Sequence, residues 1–240
     1  MNVLVINGWS APESLWAGFF DSLKTVTQVK TINLDNIASI EHWCLRIDAE
    51  VDSNTLLVGW SFGAALALKY AASNEHIRGV ICLMSNPCFV QREDWPYGMS
   101  AADFAVFSNL LESGKQAQFV KTFSHLMVSG AVDSRQERRS LKAHYSVEQL
   151  PALNVLSVTL AQFGMLDCRE YTAALKVPCL QVFAANDALV PVLAAEAGKG
   201  RFKDSSKVVQ VVIPESGHLP FFQSKAAVLK SISEFIGRYV

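Results

Sequence analysis

The stretch Leu56-Leu57-Val58-Gly59-Trp60-Ser61-Phe62-Gly63-Ala64-Ala65 constrains this chain more than any other. Thr55 to Val58 is an apolar run short enough for a buried strand. The Ala- and Leu-rich segment after Gly63, through Leu66, Ala67, Leu68 and Tyr70, reads as a helix. A serine between two glycines, with a strand before it and a helix behind, makes a nucleophile elbow. The turn forces the serine into a strained conformation that lifts its hydroxyl above the sheet edge. The glycines are small because neighbouring backbone passes close by. The helix sets N–H groups and the positive end of its dipole beneath a developing oxyanion. Ser61 is therefore the candidate nucleophile. A chance Gly-x-Ser-x-Gly in a surface loop would leave the flanking strand and helix unexplained.

Around the elbow the chain alternates. Val3-Leu4-Val5-Ile6 is a strand running into Asn7-Gly8-Trp9-Ser10, and the turn there offers the backbone N–H of Trp9 as partner to that of Phe62 in an oxyanion hole. Pro12 to Leu23 reads as a helix with Leu15, Trp16, Phe19, Phe20 and Leu23 on one face. Val26 to Leu34 reads as a strand, Ile37 to Val51 as an amphipathic helix and Arg78 to Met84 as a further buried strand. Alternation of this kind predicts an α/β chain with a mostly parallel, doubly wound sheet.

From Pro87 the pattern changes. Asp103–Leu111, Gln116–Met127, Ser134–Tyr145 and Val147–Met165 carry helical spacing, with Gly114, Gly130 and Pro151 at the turns. They predict a helical lid over 87–166, inserted in a core of 1–86 and 167–240. Phe104, Phe107, Phe119, Phe123, Leu126 and Met127 either line an apolar slot or form the lid's own core. Arg135, Arg138, Arg139 and Lys142 concentrate positive charge on one short helix, partly offset by Glu137. Such a cluster is a solvated face or a docking site for an acidic partner.

Alternation resumes with the strand Val177–Phe183, which ends in Ala184-Ala185-Asn186-Asp187 and leads to a helix starting near Val190. Val208–Ile213 is the next strand and runs into Ser216-Gly217-His218. The order Ser61, Asp187, His218, each just past a strand, is that of a Ser…Asp…His triad. His76, His125 and His144 have no such setting. A net charge of −1 argues against general nucleic-acid or membrane-surface binding. Five scattered cysteines without C-x-x-C imply reduced thiols and a cytoplasmic protein. Residues 1–7 read as a strand rather than a signal peptide, no apolar run has membrane length, and no metal or nucleotide motif occurs, so neither a metal nor a cofactor is expected.

Beyond the triad motifs, Gly59-Trp60-Ser61, Ser85-Asn86-Pro87-Cys88-Phe89-Val90 with Glu93-Asp94-Trp95-Pro96, and Asp187-Ala188-Leu189-Val190-Pro191 are more specific. On these, from Asn7-Gly8-Trp9 to the C-terminus, the chain resembles the pimeloyl-[acyl-carrier protein] methyl ester esterases of biotin synthesis, within the α/β-hydrolases. The resemblance implies an α/β-hydrolase fold and hydrolysis of a methyl ester at the end of an acyl chain on a phosphopantetheine arm. It places the acyl chain beside Trp9, Phe62, Phe123 and Leu126, and an acidic acyl carrier protein against Arg135 and Arg139. Asn7 stands where His commonly precedes Gly-Trp, and Gln118 and Thr122 stand where longer family members carry arginines. The segment after Asp35 lacks the Pro-Gly-x-Gly-x-Ser loop common in the superfamily. A general short-chain carboxylesterase and a non-catalytic ligand receptor are the competing readings.

Overall fold

Apolar runs without alternation belong inside a parallel sheet, and four strands here are of that kind. A computed structural model describes residues 1–33 and 39–240. In it β1 (Asn2–Ile6), β3 (Thr55–Trp60), β4 (Gly79–Leu83) and β5 (Cys179–Ala184) are buried along nearly their whole length. The more exposed β2 (Gln28–Ile32) and β6 (Val208–Ile213) take the edges, giving a parallel six-stranded sheet of order β2-β1-β3-β4-β5-β6. The chain runs outward from β1 to β2, then returns past β1 to β3. At that switch point the turns after β1 and β3 leave neighbouring strands at one level, Ile6 beside Gly59. Across the sheet Ala184 of β5 pairs with Ile213 of β6, so the loops bearing Asp187 and His218 also emerge side by side.

Helices α1 (Ile40–Asp48), α2 (Phe62–Ser73), α7 (Arg169–Ala174), α8 (Leu193–Lys199) and α9 (Lys225–Tyr239) belong to the core layers. Between β4 and β5 come α3 (Ala101–Glu112), α4 (Gln116–Val128), α5 (Ser134–Lys142) and α6 (Leu153–Met165). The two ends of this insertion are pinned together. Cys88 bridges Asp167, and the Cys168 N–H donates to Pro87 O at 2.6 Å.

Several expected elements change shape. Pro12–Leu23 is a single 3₁₀ turn, Glu13–Trp16, followed by bends, because Gly18 at φ +63° breaks any helix. Its rings are buried as the pattern implies, in a cluster where Trp16 and Phe19 meet Phe221. Val147–Met165 divides at Pro151, which holds Leu150 extended at ψ 149° so that α6 begins at Leu153. The helix expected near Val190 begins at Leu193, because the Leu189 and Val190 N–H groups turn toward the Asp187 carboxylate. The expected ends of the β2 strand and the α1 helix at Leu34 and Ile37, and the segment just after Asp35, lie outside the described residues.

Candidate active site

Ser61 joins β3 directly to α2 at φ 54° and ψ −121°, a conformation that costs a non-glycine residue roughly 1–3 kcal/mol. Its surroundings hold it there. The Ser61 N–H donates to Leu83 O at 2.9 Å, and the Ser85 hydroxyl donates to Ser61 O at 2.9 Å. A Cβ on Gly63 would lie 2.1 Å from Ile6 O, and one on Gly59 would lie 2.3 Å from Ala64 Cα. Backbone against backbone leaves no alternative residue at either glycine.

Beyond β5 and β6 the second half of the site is closed. Asp187 Oδ2 lies 2.7 Å from His218 Nδ1, and Asp187 Oδ1 accepts from the N–H of Leu189 at 2.8 Å and of Val190 at 2.9 Å. With both side chains buried, the carboxylate fixes the proton on Nδ1 and leaves Nε2 as the basic nitrogen. Gly217 lets the histidine loop lie against the main chain at Ser129, since a Cβ there would fall 2.4 Å from Ser129 O. Trp60, next to the serine, donates its indole N–H to His218 O at 3.0 Å and so ties the histidine loop to the elbow. The sequence pattern reads Trp60 only as a family marker; its partner lies 158 residues away. Among the described residues no hydrogen bond joins the Ser61 hydroxyl to His218.

The backbone N–H groups of Trp9 and Phe62 donate to no protein partner among the described residues, so both are free to donate to another acceptor. Asn7 stiffens the turn that carries the first. Its Oδ1 accepts from Gly8 N–H and from the Trp16 indole, each at 3.0 Å, and its Nδ2 donates to Ala11 O at 2.6 Å. Side chains expected along an acyl chain divide into three settings. The Trp9 ring meets Phe123 at 5.5 Å and Phe119 at 5.4 Å, edge to face, under the insertion. The Phe62 ring packs between Trp43 and Phe163. Leu126 lines a cleft of about 530 Å³ with Phe107, Leu189 and Pro191, beside the Asp187 loop. Ser61 itself is only 9% exposed.

Arg135 and Arg139 are exposed on α5, with Arg138 and Lys142, around a shallow cleft of about 480 Å³. Asp133 caps this helix through the N–H groups of Arg135 and Gln136. The expected offset by Glu137 does not hold. That side chain turns inward, 2% exposed, where it faces the Gln223 N–H and burial pushes its carboxyl up to about 7. Outward charge on α5 is therefore wholly positive. Among the described residues no group of His, Cys, Asp and Glu is placed to hold a metal ion, and no helix is long and apolar enough to cross a membrane.

The chain is similar to known proteins along almost all of its length. It is 25% identical to the pimeloyl-[acyl-carrier protein] methyl ester esterase of Aeromonas hydrophila subsp. hydrophila, covering 98% of this chain and 95% of that one. With the enzyme of the same name from Yersinia pseudotuberculosis serotype O:1b the identity is 27%, over 98% and 92%. The solved structure of an esterase from Exiguobacterium antarcticum superposes with a TM-score of 0.80 at 16% identity, over 99% and 92%, a likeness of fold. The profile of the Alpha/beta hydrolase family matches residues 3–230, and the chain belongs to that family.

Proposed function

We propose that this chain is a serine carboxylesterase that hydrolyses the methyl ester of an acyl chain on acyl carrier protein, the pimeloyl ester for which its relatives are named. One observation carries the reading: Ser61 sits at φ 54° on the sheet edge that also bears the closed Asp187–His218 pair. His218 Nε2 takes the Ser61 proton as Oγ attacks the ester carbonyl. The N–H groups of Trp9 and Phe62 meet the charge on the carbonyl oxygen. Collapse breaks the bond to the methoxy oxygen, which leaves as methanol with the proton from His218. Water, deprotonated by the same imidazole, then attacks the acyl-enzyme, releasing the free acid and restoring Ser61. Asp187, bonded to Nδ1, stabilises the imidazolium.

Residues 87–166 serve as a lid over the core of 1–86 and 167–240, and part to admit the acyl chain to the nearly closed nucleophile. Trp9, Phe62, Phe123 and Leu126 line its path. Arg135 and Arg139 receive the acidic carrier, and small esters that need no carrier are also substrates. Rescue of biotin-free growth in a strain lacking its own esterase tests the substrate. Growth with the wild-type gene and none with Ser61→Ala is expected. Failure of the wild-type gene, with p-nitrophenyl butyrate still hydrolysed, would leave a general short-chain carboxylesterase.

A further inference from the structure

The two residues that follow Gly8 each reach out of the core and bond to the helical insertion. The Trp9 indole donates to Thr159 Oγ1 of α6 at 2.8 Å, and the Thr159 hydroxyl in turn donates to Val155 O at 2.7 Å. Ser10 Oγ lies 2.7 Å from the hydroxyl of Tyr145, one turn beyond the end of α5. All four side chains are buried. Ser10 holds φ +59°, where a residue other than glycine is strained, so its neighbours must keep it there. From the core side, Ala11 N–H donates to Gly8 O at 3.2 Å and Asn7 clasps Ala11 O. From the insertion, the Tyr145 hydroxyl is the partner of the Ser10 side chain. The Tyr145 ring also faces Phe123, which meets Trp9.

We propose that Tyr145 is a positioning residue for the oxyanion site: through Ser10 its hydroxyl fixes the peptide plane that aims the Trp9 N–H, so that this donor is set only when the lid is seated. The inference rests on the esterase reading and adds a dependence of the reaction on a side chain that touches no reacting atom. Its chemistry is direct. The Trp9 N–H belongs to the peptide between Gly8 and Trp9, and Ser10 sets the conformation of the next one. A donor that swings by a few tenths of an ångström loses alignment with the oxyanion while the ester still binds. Because Tyr145 follows α5, a carrier pressing on the basic face acts on the same link.

Tyr145→Phe keeps the ring against Phe123 and removes only the hydroxyl. With p-nitrophenyl butyrate, kcat should fall roughly 10-fold with KM within about 2-fold, a smaller loss than outright removal of a donor. Affinity for a trifluoromethyl ketone, which forms the oxyanion adduct, should fall in proportion to kcat. Ser10→Gly, whose backbone accepts positive φ, should reproduce the loss, and the double variant should be no worse than the worse single one. If Tyr145→Phe does not fold, Ser10→Gly alone decides. An unchanged kcat in the folded variants, additive losses, or a raised KM at constant kcat would overturn the role of Tyr145. Wild-type protein that turns over no ester and is not labelled at Ser61 by a fluorophosphonate would remove the esterase reading with it.

Discussion

The sheet edge and the helical insertion above it are both densely buried, yet the balance between main-chain and ring neighbours differs between them. At the edge, Gly59, Gly63 and Gly217 face main-chain atoms: Ala64 Cα, Ile6 O and Ser129 O. In the insertion Gly98 and Gly130 also face main chain, Phe89 O and Asn186 O, but the helices meet mostly through rings, with Trp9 of the core against Phe119 and Phe123, Phe107 against Phe123, and Phe89 against Phe163. Backbone cannot repack, whereas rings and aliphatic side chains of similar volume can replace one another at modest cost. The elbow is thus tied to the covalent skeleton, and the ring-lined surfaces of the insertion are ones that substitution can reshape. One chain can keep its elbow while the packing above it drifts.

The sharpest break in the comparison comes at the nucleophile. Ser61→Ala should cost on the order of 10⁶ in kcat if the triad acts as a unit, with little change in thermal stability, because the hydroxyl makes no hydrogen bond that supports the fold. Retention of a tenth of the wild-type turnover, measured with p-nitrophenyl butyrate, would remove Ser61 from its role. Next in size is a matched pair of packing variants. Gly63→Ala adds one methyl 2.1 Å from a carbonyl oxygen and should lower stability by more than about 4 kcal/mol or prevent folding. Phe119→Leu, in the insertion, should cost only about 1–1.5 kcal/mol. Equal losses in urea unfolding would erase the distinction between the two regions.

What the sequence alone reveals follows the same division. The elbow reads from sequence because its requirements are local: two glycines, a strand and a helix within one short stretch. Asp187 and His218 read from their places just past strands, and the sheet register turns those places into contact. Trp60 bonding His218 O and Tyr145 bonding Ser10 are not legible, since each joins segments more than 130 residues apart. Pro12–Leu23 misleads because burying Leu15, Trp16, Phe19 and Phe20 in a bent chain mimics helical spacing. In α9 the sequence does carry a helical signal, with Val228, Leu229, Ile232 and Phe235 spaced to lie on its buried face.

Glu137 tests the underside of α5. Its carboxyl stands at about 7 against an ordinary 4.5, raised by burial. Below pH 4.5 the acid is neutral whether the chain is folded or unfolded, and the position costs nothing extra. Between 4.5 and 7 the unfolded chain gives up the proton that the folded chain keeps, so stability falls as pH rises. Above 7 the loss is complete, at most roughly 3 kcal/mol. Glu137→Gln keeps the shape and removes the charge. Thermal unfolding should show it more stable than wild type at pH 8, by several degrees, and nearly equal at pH 4. A constant difference across that range would mean that Glu137 does not titrate in the window.

The smallest effect is expected on the outer face of the same helix, and it separates docking from chemistry. With Glu137 turned inward, Arg135, Arg138, Arg139 and Lys142 present an unbroken positive surface around their cleft. Exposed ion pairs contribute roughly 0–1 kcal/mol each and weaken as salt screens them. Changing both Arg135 and Arg139 to Glu should therefore lower kcat/KM for a carrier-bound methyl ester by a graded amount, about 10-fold at low salt, shrinking as ionic strength rises. Hydrolysis of p-nitrophenyl butyrate should hold, because neither side chain approaches the Asp187–His218 pair or the elbow. An equal loss on both substrates would show that the arginines support the insertion rather than a carrier. No loss on either would move the docking surface to another face and leave α5 a solvated helix whose charge merely keeps it wet.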